Sequence, residues 1–242
     1  MFQEIKPYEQ NKSGKKQQVT RMFNQIADRY DVLNRLVSAG SDIQWRKKVV
    51  KIVQKHQPKT ILDVATGTGD LALELTKTNA HQIIGLDVAE NMLEIARGKI
   101  MKQAIGDTLK MVHGDAEAIP YDEHFFDAVT VSFGVRNFED LGKGLSEIHR
   151  VLKKNGLLVI LETSVPQQFI YRKGYQFYTK YVMPTITSLF SKDQKAYRYL
   201  SKSANHFPSG KVFCNILEKV GFNTIECLPQ TFGVASIYIA KK

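Results

Sequence analysis

The 242-residue chain is poor in several features that mark whole classes of protein. Its two cysteines, Cys214 and Cys227, are too few for a disulfide framework or a cysteine-rich metal site, and no metal is expected. No stretch approaches the roughly 20 apolar residues that span a bilayer. The opening segment MFQEIKPYEQNKSGKKQQ has no apolar core of the signal-peptide kind, so nothing in it points to export. These absences lead us to expect a reducing, cytoplasmic setting. Internal repeats and low-complexity tracts are also missing. Acidic residues are in deficit, with 24 Asp and Glu against 34 Lys and Arg, a net charge of +10. Such a surplus suits nucleic acid, an anionic membrane surface or an acidic small molecule. The cations are spread out, with mild clusters at Lys12 to Lys16, Arg46 to Lys51 and Lys192 to Arg198. None is a dense nucleic-acid arm, and charge alone does not select the partner.

What is present is an alternation of short apolar strands and amphipathic helices, the pattern of a parallel α/β sheet. Residues 1–18 are polar and lysine-rich and read as a flexible segment, leaving 19–242 as one domain. Met22, Phe23, Ile26, Tyr30, Leu33 and Val37 fall at helical spacing, and a second helix over Ile43 to His56 must close before Pro58. Strands are expected over Thr60 to Ala65, Gln82 to Leu86, Leu109 to His113, Phe126 to Phe133 and Leu157 to Glu162. Helices are expected from Gly69 to about Thr78, over Ala89 to Gln103, and over Leu141 to Leu152, the last stopped by an αL cap at Asn155-Gly156. The rhythm then breaks. Residues 166–206, rich in Tyr, Phe and Lys, read as a helical insertion. After a helix over Lys211 to Val220, the segments Asn223 to Leu228 and Gly233 to Ala240 lie too close for a parallel crossover and should pair antiparallel.

The turn Asp63-Val64-Ala65-Thr66-Gly67-Thr68-Gly69-Asp70 joins the first strand to a helix. Gly67 and Gly69 let the backbone turn sharply against a ligand where a Cβ would collide, and the helix N-terminus offers free N–H groups. About twenty residues on, Asp87 closes the second strand, where a carboxylate accepts ribose hydroxyls in dinucleotide folds; its other reading is a helix N-cap. Gly67-x-Gly69-x-x-Ala72 also satisfies the dinucleotide fingerprint, so a nicotinamide oxidoreductase is the first competitor. After the third strand comes His113-Gly114-Asp115-Ala116-Glu117-Ala118-Ile119-Pro120. Asp115 is placed to accept from an adenine amino group with Ala116 near the ring, or it is simply a turn-forming residue. The antiparallel terminal pair, together with ATGTGD, GLD and GDAEAIP in that order, resembles the class I, Rossmann-like methyltransferases. These carry a seven-stranded, mostly parallel sheet with one antiparallel C-terminal strand and helices on both faces. The expected cofactor is then S-adenosylmethionine, as methyl donor.

Four further segments narrow the resemblance: Phe23-Asn24-x-Ile26-Ala27-x-Arg29-Tyr30-Asp31-x-Leu33-Asn34, Trp45-Arg46, Ser132-Phe133-Gly134-Val135-Arg136-Asn137-Phe138, and Phe207-Pro208. With the glycine turn they resemble the UbiE/MenG/COQ5 family, the C-methyltransferases of menaquinone and ubiquinone biosynthesis, from about Thr20 onward, and most closely its prokaryotic menaquinone branch. The resemblance implies N-terminal lid helices over 19–57 and contacts from Thr68, Asp87, Asp115, Ala116 and Ser132 to S-adenosylmethionine. It also implies a polyprenyl demethylmenaquinol substrate, with ubiquinone-pathway benzoquinols or another acceptor of the same fold, nucleic acid included, as alternatives. Thr68 serves either the methionine portion of the donor or the helix as an N-cap.

Carbon methylation of a quinol needs the ring carbon aligned with the methyl group and the adjacent oxygen stabilised as it gains charge. Arg136 and Asn137, just past the fourth strand, are the first candidates for that oxygen; their structural alternatives are a salt bridge and a helix cap. Tyr30 for orientation and Asp70 for a water-borne proton come second, and Tyr30 also fits plain core packing. No histidine is placed as a base, so the proton is expected to leave through water. The insertion carries Phe169, Ile170, Tyr171, Phe177, Tyr181, Leu189 and Phe190 among lysines, which suits transient contact with a membrane surface; ordinary core or a homodimer contact would use the same stripe. No dedicated nucleic-acid module is evident.

Overall fold

The computed structural model describes residues 5–8, 11–190 and 193–242; of residues 187–190 it describes only the backbone, so the side chains of Leu189 and Phe190 lie outside the described part. Two long helices come first, α1 (Lys15–Val37) and α2 (Ser41–Lys55). The alternating section follows: β1 (Thr60–Val64), α3 (Asp70–Leu75), β2 (Gln82–Asp87), α4 (Glu90–Gln103), β3 (Leu109–His113), β4 (Phe126–Ser132), α5 (Leu141–Val151) and β5 (Leu152–Thr163). The insertion forms α6 (Phe169–Phe177), a π-helical turn (Tyr178–Val182), α7 (Met183–Phe190) and α8 (Gln194–His206). Pro184 follows directly on the π-helical turn within one continuous helical run, an irregularity of the kind that accompanies a proline inside a helix. The chain ends with α9 (Lys211–Val220), β6 (Asn223–Gln230) and β7 (Ala235–Lys241).

The seven strands run in the order β3-β2-β1-β4-β5-β7-β6, with β7 antiparallel to both neighbours and the other pairs parallel. Successive residues point to opposite faces. Ile61, Ile83 and Val159 pack with Val49 and Val53 of α2 and Leu71 and Leu75 of α3. Leu62, Ile84 and Leu158 pack with Leu145 of α5 and Phe213 of α9. Burial on both faces explains why these strands are apolar at nearly every position. The order reverses between β1 and β4, which opens a crevice over the strands' C-terminal ends.

Two expectations are corrected. The first eighteen residues are not free where they are described: α1 begins four residues before Val19, and Ile5, Lys15 and Gln18 are buried. The Gln18 side chain gathers the segment, accepting from the Tyr8 N–H and donating to the Asn11 and Ser13 carbonyls. The Lys15 ammonium donates to the Phe138 and Arg136 carbonyls. The second correction concerns Asn155. It is left-handed, at φ 62°, but it caps no helix, because α5 ends at Val151 and β5 starts at the next residue. The turn falls inside β5, where the register against β4 slips and the Asn155 N–H is taken by the Lys242 carbonyl.

Helix α1 covers the crevice by an apolar stripe. Val19, Met22, Ile26 and Leu33 are buried against Met92 of α4 and Tyr197 and Tyr199 of α8. Each such side chain contributes about 1.5–3 kcal/mol, against at most about 1 kcal/mol for a half-exposed ion pair. The stripe, and not the lysine contacts, therefore fixes the lid.

Candidate active site

Three connected spaces lie under α1. The first, of about 80 Å³, is lined by Gly67, Asp87, Asp115, Ala116, Ser132 and Asn137. The second, of about 230 Å³, is lined by Trp45, Arg136, Tyr175, Tyr178, Met183 and Tyr197. A polar gap of about 40 Å³ is bounded by Asp31, Arg46, Asp63, Thr68, Asp70 and Ser132. Tyr30 and Phe133 border all three, so these two rings stand at the junction.

The strand ends explain how the first space is held open. Ala65 after β1 and Phe133 after β4 both adopt left-handed backbone, at φ 54° and 56°, a strained state that clusters at functional sites. Gly134 is required beside them, since a Cβ there would meet the Ala65 Cβ at 2.6 Å. Gly67, at φ +57°, has open space where a Cβ would stand, a cradle for a ligand approaching the backbone. The Asp87 carboxylate ties the turn: Oδ2 accepts from the Gly67 N–H and Oδ1 from the Ala89 N–H, both at 2.8 Å. The helix-capping reading of Asp87 is not realised, because Ala89 is the N-cap of α4 and has no side-chain cap bond; each Asp87 oxygen keeps a second lone pair for a ligand. Burial raises the Asp87 pKa, opposed by these N–H groups.

Asp115 also shows its structural alternative. Oδ1 accepts from the Glu117 N–H at 2.9 Å, and Oδ2 pairs with the Lys16 ammonium at 2.6 Å. Ala116 lies in an apolar slot with Phe23, Leu86 and Met92. Ser132 Oγ is buried with no partner among the described residues, an orphaned group at the border of the first space and the polar gap. Thr68 is not a helix cap: Gly69 occupies that position without a side-chain bond, and the Thr68 hydroxyl donates to Asp31 at 2.5 Å. Asp70 is surrounded by Lys99 at 2.7 Å, Arg46 at 3.2 Å and Arg35 at 3.5 Å. Both of its oxygens are committed, so the geometry makes it a counter-ion joining α1, α2 and α4 to the glycine turn rather than a free proton carrier.

Arg136 and Asn137 are adjacent in sequence but face different spaces. Arg136 is buried beside the second. Its Nη1 donates to Glu162 Oε1 at 2.5 Å and to the Phe133 carbonyl at 2.8 Å, while its Nε has no partner among the described residues. Burial is the largest influence and opposes the guanidinium charge, but Glu162, Tyr30 and Tyr199 together outweigh it and the pKa is raised. Asn137 borders the first space, donates to the Phe133 carbonyl at 3.3 Å and accepts from the Tyr199 hydroxyl at 3.2 Å. Asp140, not Asn137, caps α5. Tyr30 is half-buried, and its burial raises its pKa. Among the described residues no histidine lines the first or the second space.

Sequence reasoning missed Lys16, Asp63, Glu162, Tyr197 and Tyr199 as parts of this site. Glu162 carried a usable signal: it ends the apolar run LLVILE as Asp87 ends QIIGL, an acid at a strand's C-terminal end.

A model of the ubiE/COQ5 methyltransferase family matches residues 11–242. The chain belongs to that family. It is 42% identical to the demethylmenaquinone methyltransferase of Bacteroides fragilis, over 99% of this chain and 98% of the relative. It is 41% identical to the demethylmenaquinone methyltransferase of Chlorobaculum tepidum, over 93% and 92%. It is 42% identical to the ubiquinone/menaquinone biosynthesis C-methyltransferase UbiE of Geobacter sulfurreducens, over 94% and 90%. Among solved structures, a SAM-dependent methyltransferase from Thermotoga maritima superposes with a TM-score of 0.64 at 19% identity, covering 92% of this chain and 99% of that one. At that identity the likeness speaks to the fold, which is the class I methyltransferase fold. The protein is therefore an S-adenosylmethionine-dependent methyltransferase. The first space has features that suit such a donor: an unpartnered Ser132 hydroxyl, open space at Gly67 where a Cβ would stand, and an apolar slot lined by Ala116.

Proposed function

We propose that this methyltransferase transfers the methyl group of S-adenosylmethionine to a ring carbon of demethylmenaquinol, giving menaquinol. The observation that carries the reading is the junction at Tyr30 and Phe133, where a glycine-turn cavity meets a larger aromatic-lined one beside a buried guanidinium. Two relatives that match more than nine-tenths of the chain are demethylmenaquinone methyltransferases, which favours the naphthoquinol over a benzoquinol.

In this reading Gly67 admits the donor backbone-close, Asp87 accepts the ribose hydroxyls, and Asp115 with Ala116 holds the adenine; Gly69, expected beside the donor, instead packs against Ala96 and Met111, where a Cβ would meet both at 3.0 Å. Ser132 and Thr68 border the methionine portion. The donor, when bound, supplies an electrophilic methyl group. The electron pair of the quinol carbon forms the new C–C bond as the C–S bond breaks, and the ring proton on that carbon then leaves to water. Arg136 stabilises the oxygen that carries charge before transfer, through nitrogens not used by Glu162. Asn137, fixed by Tyr199, reaches from the donor side of the junction, and Tyr30 orients the ring. An oxyanion partner of this kind is worth about 2.7–4 kcal/mol of barrier.

The second space is flanked by the insertion, whose Tyr175, Tyr178 and Met183 line it. The same helical run turns Phe169 (63% exposed), Ile170 (80%) and Phe177 (61%) outward. Arg172, Lys173 and Lys180 lie among them, with no acid from Phe169 to Val182. Among the described residues no helix is long and apolar enough to cross a membrane, so the reading is contact with an anionic lipid surface from which the polyprenyl quinol enters. Flotation with anionic liposomes, lost on replacing Phe169 and Ile170 by Ser, is the expected result; concentration-dependent dimerisation without flotation would assign the face to a second copy.

The activity is tested by radiolabelled methyl transfer to demethylmenaquinol, run beside a demethoxyubiquinol-type acceptor and tRNA. Label is expected in the naphthoquinol. Label in tRNA alone, or in neither quinol, would overturn the assignment.

A further inference from the structure

Arg136 is held by one side chain that no motif had marked. Glu162, at the C-terminal end of β5, is fully buried. Its Oε1 accepts from Arg136 Nη1 at 2.5 Å, from the Thr163 N–H at 2.7 Å and from the Thr163 hydroxyl at 3.1 Å, and its Oε2 accepts from the Arg136 backbone N–H at 3.4 Å. Among the described residues this is the single ion pair of Arg136. The other ionisable groups that face the guanidinium are hydroxyls: Tyr30 of α1, Tyr175 of α6 and Tyr199 of α8. Burial pushes all three upward, so they are neutral where the enzyme works. The Lys15 ammonium sits on the Arg136 carbonyl, at the far end of the residue.

We infer that Glu162 is a positioning residue for the acceptor, which fixes the Arg136 guanidinium by one nitrogen at the wall of the second space and offsets part of its charge before a quinol oxygen arrives. The inference rests on the assignment of Arg136 to that oxygen. Two separable duties follow. As an acceptor, Glu162 sets where the guanidinium points. As an anion, it limits how strongly the bound oxygen is driven to ionise, since a like charge close by disfavours a phenolate and a lone cation favours it. Glu162→Gln keeps an oxygen for Nη1 and removes the charge; Glu162→Ala removes both.

The test uses full-length enzyme saturated with S-adenosylhomocysteine and 1-naphthol as the probe, because naphthol and naphtholate have distinct absorption bands. Bound naphthol is titrated in the wild type, Arg136→Ala, Glu162→Gln and Glu162→Ala. In the wild type it should ionise at lower pH than free naphthol, and Arg136→Ala should remove that difference. Glu162→Gln should lower the midpoint further, by about one pH unit. Glu162→Ala should raise it toward the Arg136→Ala value, because the guanidinium loses its anchor. Should Glu162→Ala fail to fold, judged by S-adenosylhomocysteine affinity, Glu162→Asp replaces it, with the same upward direction expected from a retracted carboxylate. Midpoints in the Glu162 variants equal to the wild type would overturn the inference while leaving Arg136 in its role. An Arg136→Ala midpoint equal to the wild type would instead overturn the role of Arg136, and the inference with it.

Discussion

The two cavities under α1 are built in different ways. The floor of the donor-side cavity is shaped by backbone: the Gly67 and Ala89 N–H groups fix Asp87, and the two left-handed turns after β1 and β4 are locked against each other through Gly134. The acceptor-side cavity is made by side chains on helices, with Tyr175, Tyr178 and Tyr197 contributed by the insertion and Trp45 by α2. Polar groups on these elements tie that side together, such as the Tyr178 hydroxyl on the Val37 carbonyl at 2.7 Å and the Trp45 indole N–H on Thr231 at 2.9 Å. A backbone-built site keeps its shape when one side chain changes. A site assembled from helix faces can be reshaped residue by residue, which suits the half that must recognise the acceptor.

The sharpest break between the halves should come from Arg136→Ala. Its turnover should fall about a hundredfold to a thousandfold with S-adenosylmethionine affinity little changed, measured by single-turnover rates beside calorimetry. An equal loss of donor affinity would erase the distinction. The next effect belongs to the donor side and appears in stability. Burial raises the Asp63 carboxyl to about 6 from 3.8, opposed by the Thr130 and Thr66 hydroxyls that donate to it. The folded state therefore binds more protons than the unfolded one between about pH 4 and 6, so this group makes stability fall as pH rises through that window and contributes no slope above it. The whole change is about 3 kcal/mol. Asp63→Asn should level that part of the denaturation profile; an unaltered profile would mean the carboxyl is not shifted.

Asp87→Ala comes third. Losing a charged acceptor costs about 1.5–3 kcal/mol, so the dissociation constant for S-adenosylmethionine should rise about tenfold to a hundredfold while binding of a quinol analogue holds. The smallest effect is Tyr178→Phe, which deletes the tie between the insertion and α1 at about 1 kcal/mol. It should raise the quinol KM a few-fold and leave donor affinity untouched. A shift in donor affinity there would show that the insertion reaches across the junction.

The same contrast decides how much was legible in the sequence. Gly67, Asp87 and Ser132 stand where a strand ends and a turn begins, and that grammar is local: an apolar run, a glycine or acid, then a helix. The antiparallel pairing of β7 with β6 followed from the length of their connection alone. The N-terminal boundary was misread because the carbonyls that take the Lys15 ammonium, those of Arg136 and Phe138, lie more than a hundred residues away. The acceptor cavity was hidden for the same reason. Tyr197 meets Tyr30 only after α8 packs on α1, and no spacing within either helix announces it. Asp70 was read from its neighbours in sequence, whereas its partners Arg35, Arg46 and Lys99 arrive from three different helices.

The most direct test of the whole account is where the methyl group goes. With S-adenosylmethionine carrying a ¹³C-labelled methyl group and demethylmenaquinol as acceptor, the product should show one labelled methyl bonded to a ring carbon. A label found on a quinol oxygen would contradict carbon methylation and, with it, the role given to Arg136 at the junction.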